Sequence, residues 1–315
     1  MGRFVVRRLI AMVAVLFAIS VLTFLIFNVI PAGDPALRIA GRTPTRGQIE
    51  QIRHQWGFDK PVYVQYAKTM KNVFTGDLIS YSNQIDVDAE IVKDLPRTFS
   101  LAIGAAIMWM AFAVALGLYT AVKAGKFADR FLTVLALIGI SMPVFWVGAL
   151  MNYYFGFKWE IFPNGGYVPL TEDPVQWAYH LIMPWTALSL LFIGVYSRVL
   201  RSNVLDTIND DYVRTARAKG LSERQVLVRH VLRNSLIPIV SLWGLDFGAV
   251  LGGGAILTET VFDLQGVGQY AAESIGQLDV PPVLAITMFG AFFIVLLNTA
   301  VDIVYAYLDP RIRIQ

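Results

Sequence analysis

The sequence predicts an all-α polytopic membrane protein with six transmembrane helices. Of its 315 residues, 56% are hydrophobic and 16% are charged, whereas an average soluble chain is about 25% charged. Six apolar segments are long enough to cross a bilayer, because about 20 residues at a rise of 1.5 Å cover its hydrocarbon core. We place them near residues 9–30, 98–122, 131–155, 181–199, 236–257 and 283–307. The first four contain no charged residue before their last turns, which excludes soluble helices with a polar face.

The first segment is interpreted as a retained anchor. Arg3, Arg7 and Arg8 precede its apolar core, as basic residues do in a cleaved secretory signal. That core is too long, and the sequence P-A-G-D-P at 31–35 follows where a small-x-small cleavage site would stand. We therefore expect the first span to remain in the protein.

The basic residues of the short loops lie on one predicted side of the membrane. They stand before the first span, at 123–130, at 201–233 and at the C-terminal end, whereas the segment 258–282 has none. Lys and Arg in short loops stay in the cytoplasm. Both termini are therefore expected to be cytoplasmic.

Residues 31–97 form a small external region in this topology. They carry nine basic residues, but a loop longer than about 60 residues translocates largely regardless of charge. Thr45 with Gln48 predicts a capping box at a helix start, with Gly57 as the stop. A second helix is expected after Pro61. Its apolar stripe consists of Val62, Tyr66, Met70 and Val73.

The sequence contains no recognisable catalytic or metal-binding constellation. There is no Cys, the three histidines are far apart, and no G-x-x-x-x-G-K-[ST] phosphate loop is present. We therefore expect that the chain is not an enzyme and holds no metal or cofactor of its own. The glycine run at 252–254 lies in an apolar segment, where close helix packing or a bend explains it better than phosphate binding.

A charged stretch at 206–234 separates two apolar spans. Acidic residues come first, basic residues follow from Arg214 to Lys219, and Gly220 comes next. This order suits a helix dipole, and the glycine can end the helix in the left-handed conformation. The pattern therefore predicts a helix that stops at Gly220.

A second short helix is predicted directly after this glycine. Ser222 and Gln225 have the spacing of a capping box. The apolar arc of the helix is made up of Leu227, Val228, Val231 and Leu232. Two helices thus meet at a sharp corner before the chain returns to the membrane near Pro238.

Two interpretations of this corner stay open on the residues alone. It is either a loop whose basic residues hold the topology and touch anionic lipid headgroups, or a docking site for another protein. The glycine favours docking, because a sharp bend presents a rigid short helix outward and topology alone needs no such bend.

The sequence Y-V-R-T-A-R-A-K-G-L-S at 212–222 resembles the cytoplasmic signature of ABC-transporter permeases of the dipeptide/oligopeptide type. In the wider importer superfamily this segment is known as the EAA loop. The resemblance covers nearly the whole chain and is to the first, B-type permease subunit. Its other motifs are I-P-A-G-D-P at 30–35, F-D-K-P at 58–61, G-D at 76–77, S-M-P at 141–143, T-E-T-V-F at 258–262, G-V-G at 266–268 and L-D-P-R at 308–311.

The resemblance implies one half of a type I ABC importer permease in a prokaryotic plasma or inner membrane. A second homologous permease subunit would complete the pathway, two ABC ATPase subunits would bind ATP and Mg²⁺ below it, and an external substrate-binding protein would deliver di- or oligopeptides. Membrane lipid is the remaining partner, and no nucleic acid is expected. The chain then divides into residues 1–30, the external region 31–97, and a five-helix core 98–315 that includes a coupling loop at 201–235.

Other functions stay open beside peptide import. The solute of such a permease can be a nickel chelate or another small molecule. A proton-coupled secondary transporter or a membrane scaffold is less favoured, because a single intramembrane acid is thin support for a proton relay and a scaffold does not need the capped corner.

The resemblance assigns ATPase docking to the predicted corner. The residues that carry it are Arg214, Thr215, Ala216, Ala218, Lys219, Gly220, Leu221, Ser222, Glu223 and Arg224. Two departures matter: Arg214 stands where the general loop motif has an acid, and the interval from Gly220 to Pro238 is longer than in sugar importers. The docking role is therefore carried over, but no salt-bridge map from sugar importers is.

Asp246 is the one acid that lies well inside a predicted span. An isolated ionised carboxylate there costs several kcal/mol unless it faces water or a partner. Asp246 is therefore expected either to line the translocation pathway, near a substrate amine, or to make a protonated or hydrogen-bonded helix contact.

Overall fold

The computed structural model describes residues 2–29, 35–40 and 44–308. The helices are α1 Gly2–Phe24, α2 Pro35–Ile39, α3 Arg46–Trp56, α4 Val62–Thr75, α5 Val87–Val122, α6 Phe127–Ser141, α7 Val144–Met151, α8 Pro174–Thr207, α9 Asp211–Ala218, α10 Glu223–Val226, α11 Arg233–Ser235, α12 Ile237–Ala249, α13 Ile256–Val261, α14 Val267–Gly276 and α15 Val280–Leu308. Wider π-helical turns extend them at Leu25–Val29, Asn152–Lys158, Leu227–Leu232 and Val250–Gly254. These ranges contain no β-strand, and the all-α class is confirmed.

Five helical segments in the described ranges are long and apolar enough to cross a membrane. They are Val6–Phe27, Val87–Val122, Pro174–Thr207, Ile237–Gly254 and Val280–Val301. A sixth is obtained when Phe127–Ser141 and Val144–Lys158, which are bent by 99° relative to each other, count as one broken span. The six predicted spans correspond to these segments, but the third is broken.

The break in the third span lies at the S-M-P sequence 141–143. Met142 is extended, with φ −90° and ψ 130°, because a residue before proline is driven out of the helical region. Pro143 also lacks the N–H that would continue the helix. The span predicted at 131–155 is therefore made of two helices, α6 and α7, which meet at the S-M-P turn.

Two other spans are longer than predicted. Helix α5 begins at Val87 and not near residue 98, because the Asp86 carboxylate caps it by accepting hydrogen bonds of 2.9 and 3.0 Å from two N–H groups of the first turn. Pro96 consequently lies inside the helix rather than at its entrance. The boundary drawn after residue 97 falls within this continuous helix, and α8 extends beyond 181–199 at both ends.

Helices α5 and α8 form the centre of the bundle, where small residues let them approach closely. A Cβ atom at Gly104 would lie 2.1 Å from the Trp185 ring, and one at Gly117 would lie 2.8 Å from the Ser197 carbonyl oxygen. The Trp185 Nε1–H donates to the carbonyl oxygen of Ser100 at 2.9 Å. Because glycine has no side chain, α8 can approach α5 closely at these two positions, as is common between membrane helices.

The glycine run at 252–254 both bends the chain and packs closely, as predicted. Gly253 has φ 131° and ends the span that α12 begins. A Cβ atom at Gly290 of α15 would lie 2.6 Å from the Gly252 carbonyl oxygen. The chain beyond this bend forms α13 and α14.

The first external helix is capped as predicted. Thr45 and Gln48 form the capping box of α3, and Gly57 ends the helix with φ 80°. Both ends of α3 are thus fixed by local contacts.

The predicted apolar stripe of α4 is confirmed for three of its four residues. Tyr66, Met70 and Val73 are half-buried, and the Tyr66 hydroxyl lies 2.7 Å from the Ser20 Oγ of α1. Val62 is 47% exposed, since it stands in the first turn, at the free end of the helix. Helix α4 therefore contacts α1 through Tyr66, while Val73 packs against the cluster that contains Leu78 and Val87.

A buried carboxylate joins the external region to the core. Asp279, which lies between α14 and α15 and is 3% exposed, accepts hydrogen bonds from the N–H groups of Tyr81 at 2.9 Å and Ser82 at 3.3 Å, and from the Ser80 hydroxyl. Burial and the nearby Asp279 charge raise the pKa of Tyr81. The segment at 80–82 is thereby held against the N-terminal end of α15.

Candidate functional site

Helix α9 is attached to the rest of the protein by one apolar face. Val213 is fully buried and Ala216 is 5% exposed, whereas Arg214 and Thr215 are exposed. Residues three apart share a face of a helix. One side of α9 is therefore anchored and the other is free for a partner.

The corner predicted at Gly220 is present. Gly220 has φ 79°, a conformation that costs a residue with a Cβ atom about 1–2 kcal/mol. Its N–H donates to the Arg217 carbonyl at 2.9 Å, and the Leu221 N–H donates to the Ala216 carbonyl at 3.5 Å, which is the Schellman ending of a helix. No atom lies within 4 Å of the position that a Cβ would occupy there, so the conformation alone requires glycine.

The second helix begins with the predicted capping box. The Ser222 Oγ accepts a hydrogen bond from the Gln225 N–H at 3.4 Å, and the Gln225 Oε1 accepts one from the Ser222 N–H at 3.2 Å. Val226 and Val231 are then buried. The helix is thus fixed at its start by capping and along its length by packing.

Two contacts close the corner from either side. The Arg217 Nε donates to Glu223 Oε1 at 3.0 Å, but Glu223 is well exposed and Arg217 is about one third exposed, so the ion pair contributes about 0–1 kcal/mol. The Asn234 Nδ2 donates to the Tyr212 hydroxyl at 2.6 Å. The buried side chains, more than these surface contacts, therefore fix the angle between the helices.

The structure brings the predicted docking residues together on this corner. Nine of them are exposed: Arg214, Thr215, Ala218, Lys219, Gly220, Leu221, Ser222, Glu223 and Arg224. Ala216 differs, because it is buried against the body and cannot contact a partner at this surface. The exposed set combines cations with the apolar Leu221 side chain.

The predicted apolar arc of the second helix is wrong at one position. Val231 is buried and Leu227 and Leu232 are half-buried, but Val228 is 50% exposed. The helix adopts π-helical turns over Leu227–Leu232, which contain more residues than an α-helical turn. This wider turn rotates Val228 away from the face that a spacing of 3.6 residues assigns to it.

Asp246 lies on α12 and faces α8. The Tyr196 hydroxyl donates to its Oδ2 at 2.6 Å; Tyr196 is fully buried and Asp246 is half-buried. The carboxylate therefore makes a hydrogen-bonded helix contact while part of it stays accessible. A role in the pathway stays a prediction.

Sequence reasoning missed an ion pair between α6 and α8. The Arg201 Nε donates to Asp129 Oδ1 at 2.7 Å and its Nη2 to Oδ2 at 2.8 Å, and Asp129 also accepts the Gly125 N–H at 2.9 Å. Asp129 is 4% exposed. In the sequence Arg201 stands out only as a topology-setting cation, because no local signal joins residues this far apart along the chain.

A second missed residue is Glu259, which is fully buried on α13. Its carboxylate accepts the Gln269 N–H at 2.9 Å, and the Thr98 hydroxyl oxygen accepts the Val267 N–H at 2.9 Å. Both groups thus cap α14. Burial raises the pKa of the Glu259 carboxyl. The T-E-T-V-F and G-V-G motifs marked this region but did not indicate the cap.

Within residues 2–29, 35–40 and 44–308, no group of three or more His, Cys, Asp or Glu side chains is arranged to hold a metal ion. The residues gathered at the corner present exposed cations, an exposed leucine and a fixed backbone.

The chain matches two family models over nearly its whole length. Residues 113–314 match the binding-protein-dependent transport system inner membrane component. Residues 1–102 match the N-terminal part of the binding-protein-dependent transport system membrane component.

Curated permease proteins align with this chain over nearly the whole of both sequences. The probable peptide ABC transporter permease protein y4tP of Sinorhizobium fredii is 34% identical over 314 residues, which cover 99% of this chain and 100% of the relative. The dipeptide transport system permease protein DppB of Escherichia coli K12 is 35% identical over 340 residues, with 99% of each chain covered. The probable D,D-dipeptide transport system permease protein DdpB of the same organism is 34% identical over 331 residues, with 97% and 96% covered.

These relatives are permease proteins, and the two models that match the chain describe inner-membrane transport components. The apolar helices supply the membrane-crossing segments that such a component needs. The chain therefore belongs to the binding-protein-dependent transport system inner membrane component family, as an ABC-transporter permease of the dipeptide/oligopeptide type.

Proposed function

We propose that this chain is the transmembrane permease subunit of an ATP-driven importer and forms half of the translocation pathway for di- or oligopeptides. A second homologous permease supplies the other half, and an external binding protein delivers the peptide. Both termini lie in the cytoplasm. The peptide and dipeptide transport for which y4tP, DppB and DdpB are named supports the choice of peptides as the solute.

The observation that carries the coupling role is the anchored corner at Gly220. Nine exposed residues are presented by a bend whose two arms are held by buried side chains: Val213, Ala216, Val226 and Val231. A rigid element transmits a displacement, whereas a mobile loop absorbs it. The corner is thus suited to dock in a cleft of an ATPase subunit.

The chain path from the corner to the membrane supports transmission. Helix α10, its π-helical turns and α11 lead to α12, which starts at Ile237, and a single residue separates it from the end of α11 at Ser235. The Ser235 Oγ donates to the Thr207 Oγ1 at 3.3 Å, which links this segment to the end of α8. Movement of the corner is therefore passed to two spans.

The proposed cycle is a two-state equilibrium of the spans. ATP and Mg²⁺ bind to the two partner ATPase subunits, whose closure moves the corner and shifts the spans from inward-open to outward-open. This chain hydrolyses nothing. Its own contribution is the docking surface, the connection to α8 and α12, and half of the pathway wall.

The test uses the assembled complex of both permeases, the ATPase subunits and the binding protein. We expect ATP hydrolysis to rise when the binding protein carries a peptide. Gly220→Val is expected to abolish this rise and peptide uptake while the complex still inserts in the membrane, because a β-branched residue is strained at positive φ.

Gly76→Val is the matched control. Gly76 has φ 73° and, like Gly220, has no atom within 4 Å of the position that a Cβ would occupy. It differs from Gly220 in its place, because it ends α4 in the proposed external region. The variant carries a similar backbone strain and is expected to keep coupling. Normal uptake by Gly220→Val would refute the corner mechanism.

Two other outcomes bear on the substrate and on the class of transporter. Stimulation of ATP hydrolysis by a nickel chelate or another small solute, and by no peptide, would change the proposed substrate. Failure to co-purify any ATPase would favour a secondary transporter.

A further inference from the structure

A cavity of about 570 Å³ lies between α6 and α8, away from the corner. It is lined on α8 by Val195, Arg198, Val199, Arg201 and Ser202, and on α6 by Thr133 and Ile140. None of these side chains belongs to the docking surface.

Helices α6 and α8 run antiparallel, because Asp129 near the start of α6 contacts Arg201 near the end of α8. The outermost polar lining residues, Thr133 and Ser202, therefore lie at one end of the cavity, and Ile140 and Val195 lie at the other. On α8, Val195 precedes Ser202 by about 10 Å of helix at 1.5 Å per residue, and on α6 the same distance separates Thr133 from Ile140. The polar ends lie where α6 begins and where α8 approaches its end, which is the cytoplasmic side in the proposed orientation. The cavity thus has a polar mouth near the membrane surface and an apolar end deeper in the bilayer.

The mouth carries one net positive charge. Arg201 is neutralised by Asp129, which holds it with two hydrogen bonds of 2.7 and 2.8 Å. Arg198 is exposed, and its guanidinium forms no hydrogen bond or ion pair with another described residue. A guanidinium presents several N–H donors in a planar fork that suits phosphate oxygens, so the unpaired Arg198 is the main group left to bind a ligand.

We propose that this cavity binds an anionic phospholipid of the cytoplasmic leaflet. Arg198 binds the phosphate, the hydroxyls of Ser202 and Thr133 lie at the headgroup level, and an acyl chain runs along Val195 and Ile140. The inner leaflet is negatively charged and favours basic pockets between membrane helices. A peptide fits less well, because its backbone amides would be left without partners against the apolar end.

The proposal depends on the proposed membrane orientation but not on the transported solute. The bound lipid would brace α6 against α8 beside the Asp129–Arg201 pair. Lipid retention can therefore be measured without peptide transport, so failure of one proposal does not imply failure of the other.

The test compares lipids retained by the purified complex. The complex is delipidated, exposed to equimolar phosphatidylglycerol and phosphatidylcholine, and analysed by native mass spectrometry. We expect the native protein to retain phosphatidylglycerol preferentially, and Arg198→Gln to lower that preference about fivefold, the effect of removing one cation near a charged leaflet.

Two further variants make the test specific. Arg130→Gln removes an exposed cation from the same end of α6 but outside the cavity, and is expected to keep the preference. Val195→Phe fills the apolar end without changing the charge and is expected to lower retention of both lipids. Equal loss of preference in the Arg198 and Arg130 variants would overturn the site in favour of general surface attraction. Unchanged retention with loss of peptide uptake in Arg198→Gln would assign this arginine to the pathway and also overturn it.

Discussion

Asp246 combines a structural contact with an accessible charge. Its Oδ2 accepts the Tyr196 hydroxyl at 2.6 Å, yet the side chain is only half-buried. An ionisable group inside a span is a functional-site hypothesis by default. The two roles can be separated, because one depends on the charge and the other on the hydrogen bond.

Asp246→Asn is expected to lower uptake of cationic peptides about tenfold, equivalent to about 1.4 kcal/mol, and to leave uptake of neutral peptides unchanged. The asparagine oxygen can still accept the Tyr196 hydroxyl, so only the charge is lost. Competition between cationic and neutral peptides for uptake into proteoliposomes measures the effect.

Tyr196→Phe provides the complementary variant, since it removes the hydrogen bond and keeps the carboxylate. We expect it to affect cationic and neutral peptides alike. If Asp246→Asn also lowers both equally, Asp246 serves the helix contact and has no part in recognition.

At this scale the sequence predicts best where the cause is local. The roles of Gly220 and Ser222 are predictable because they depend on the next few residues along the chain. The Asp246–Tyr196 and Asp129–Arg201 pairs are not, because each joins residues on different helices. The capping role of Glu259 could not be predicted for the same reason, because Glu259 lies on α13 and caps a different helix, α14.

At the scale of elements, the Asp129–Arg201 pair fixes the start of α6 to the later part of α8. Asp129 also accepts the Gly125 N–H at 2.9 Å, so the loop before α6 joins the same contact. Such a bidentate, largely buried pair is costly to break from one side, because the remaining charge loses its partner.

Asp129→Asn is expected to destabilise the protein by about 1–3 kcal/mol, the cost of leaving a partly buried polar group without its partner. Asp211→Asn is the control, because the Arg214–Asp211 pair is 3.4 Å long and almost fully exposed; we expect no measurable change there. Thermal unfolding of the purified permease in detergent measures both. Equal melting temperatures for the Asp129 variant and the native protein would contradict the role given to this pair.

The hydrophobic periodicity of the sequence is not sufficient to predict where each helix begins or which of its faces is buried. Helix α5 starts at Val87 because Asp86 caps it, although the hydrophobic run begins later. Val228 lies on an unexpected face because π-helical turns change the number of residues per turn. Hydropathy locates the membrane part of a helix, but caps and irregular turns decide where the helix begins and which face is buried.

For the molecule as a whole, the proposed topology places the loop before α6 inside and the loop before α8 outside. The chain contains no Cys, so single cysteines can report the topology without background. We expect Glu172→Cys to react with a membrane-impermeant maleimide in intact cells, and Lys126→Cys to react only after permeabilisation.

Both positions are exposed, so access to the reagent and not burial decides the result. The opposite labelling pattern would reverse the topology and move the proposed lipid to the other leaflet. Labelling of both positions in intact cells would indicate leakage and is checked with a cytosolic cysteine protein.

The number and order of the spans were predictable because a stretch of about 20 apolar residues has few alternatives in a membrane protein. The 99° bend and the cavity between α6 and α8 were not, since each depends on how helices are oriented in three dimensions. The S-M-P sequence indicated a turn but could not give its angle.

The bend at Met142 limits what can surround the protein at that point. The last carbonyl groups of α6 have no partner within the helix, and Ser141 and Pro143 are exposed on this chain. Hydrocarbon offers no hydrogen bond, and irregular backbone at membrane depth is tolerated only against protein or water. An acyl chain in the cavity between α6 and α8 can therefore extend along the Ile140 side chain but not past it. The bend itself must face another subunit or an aqueous space.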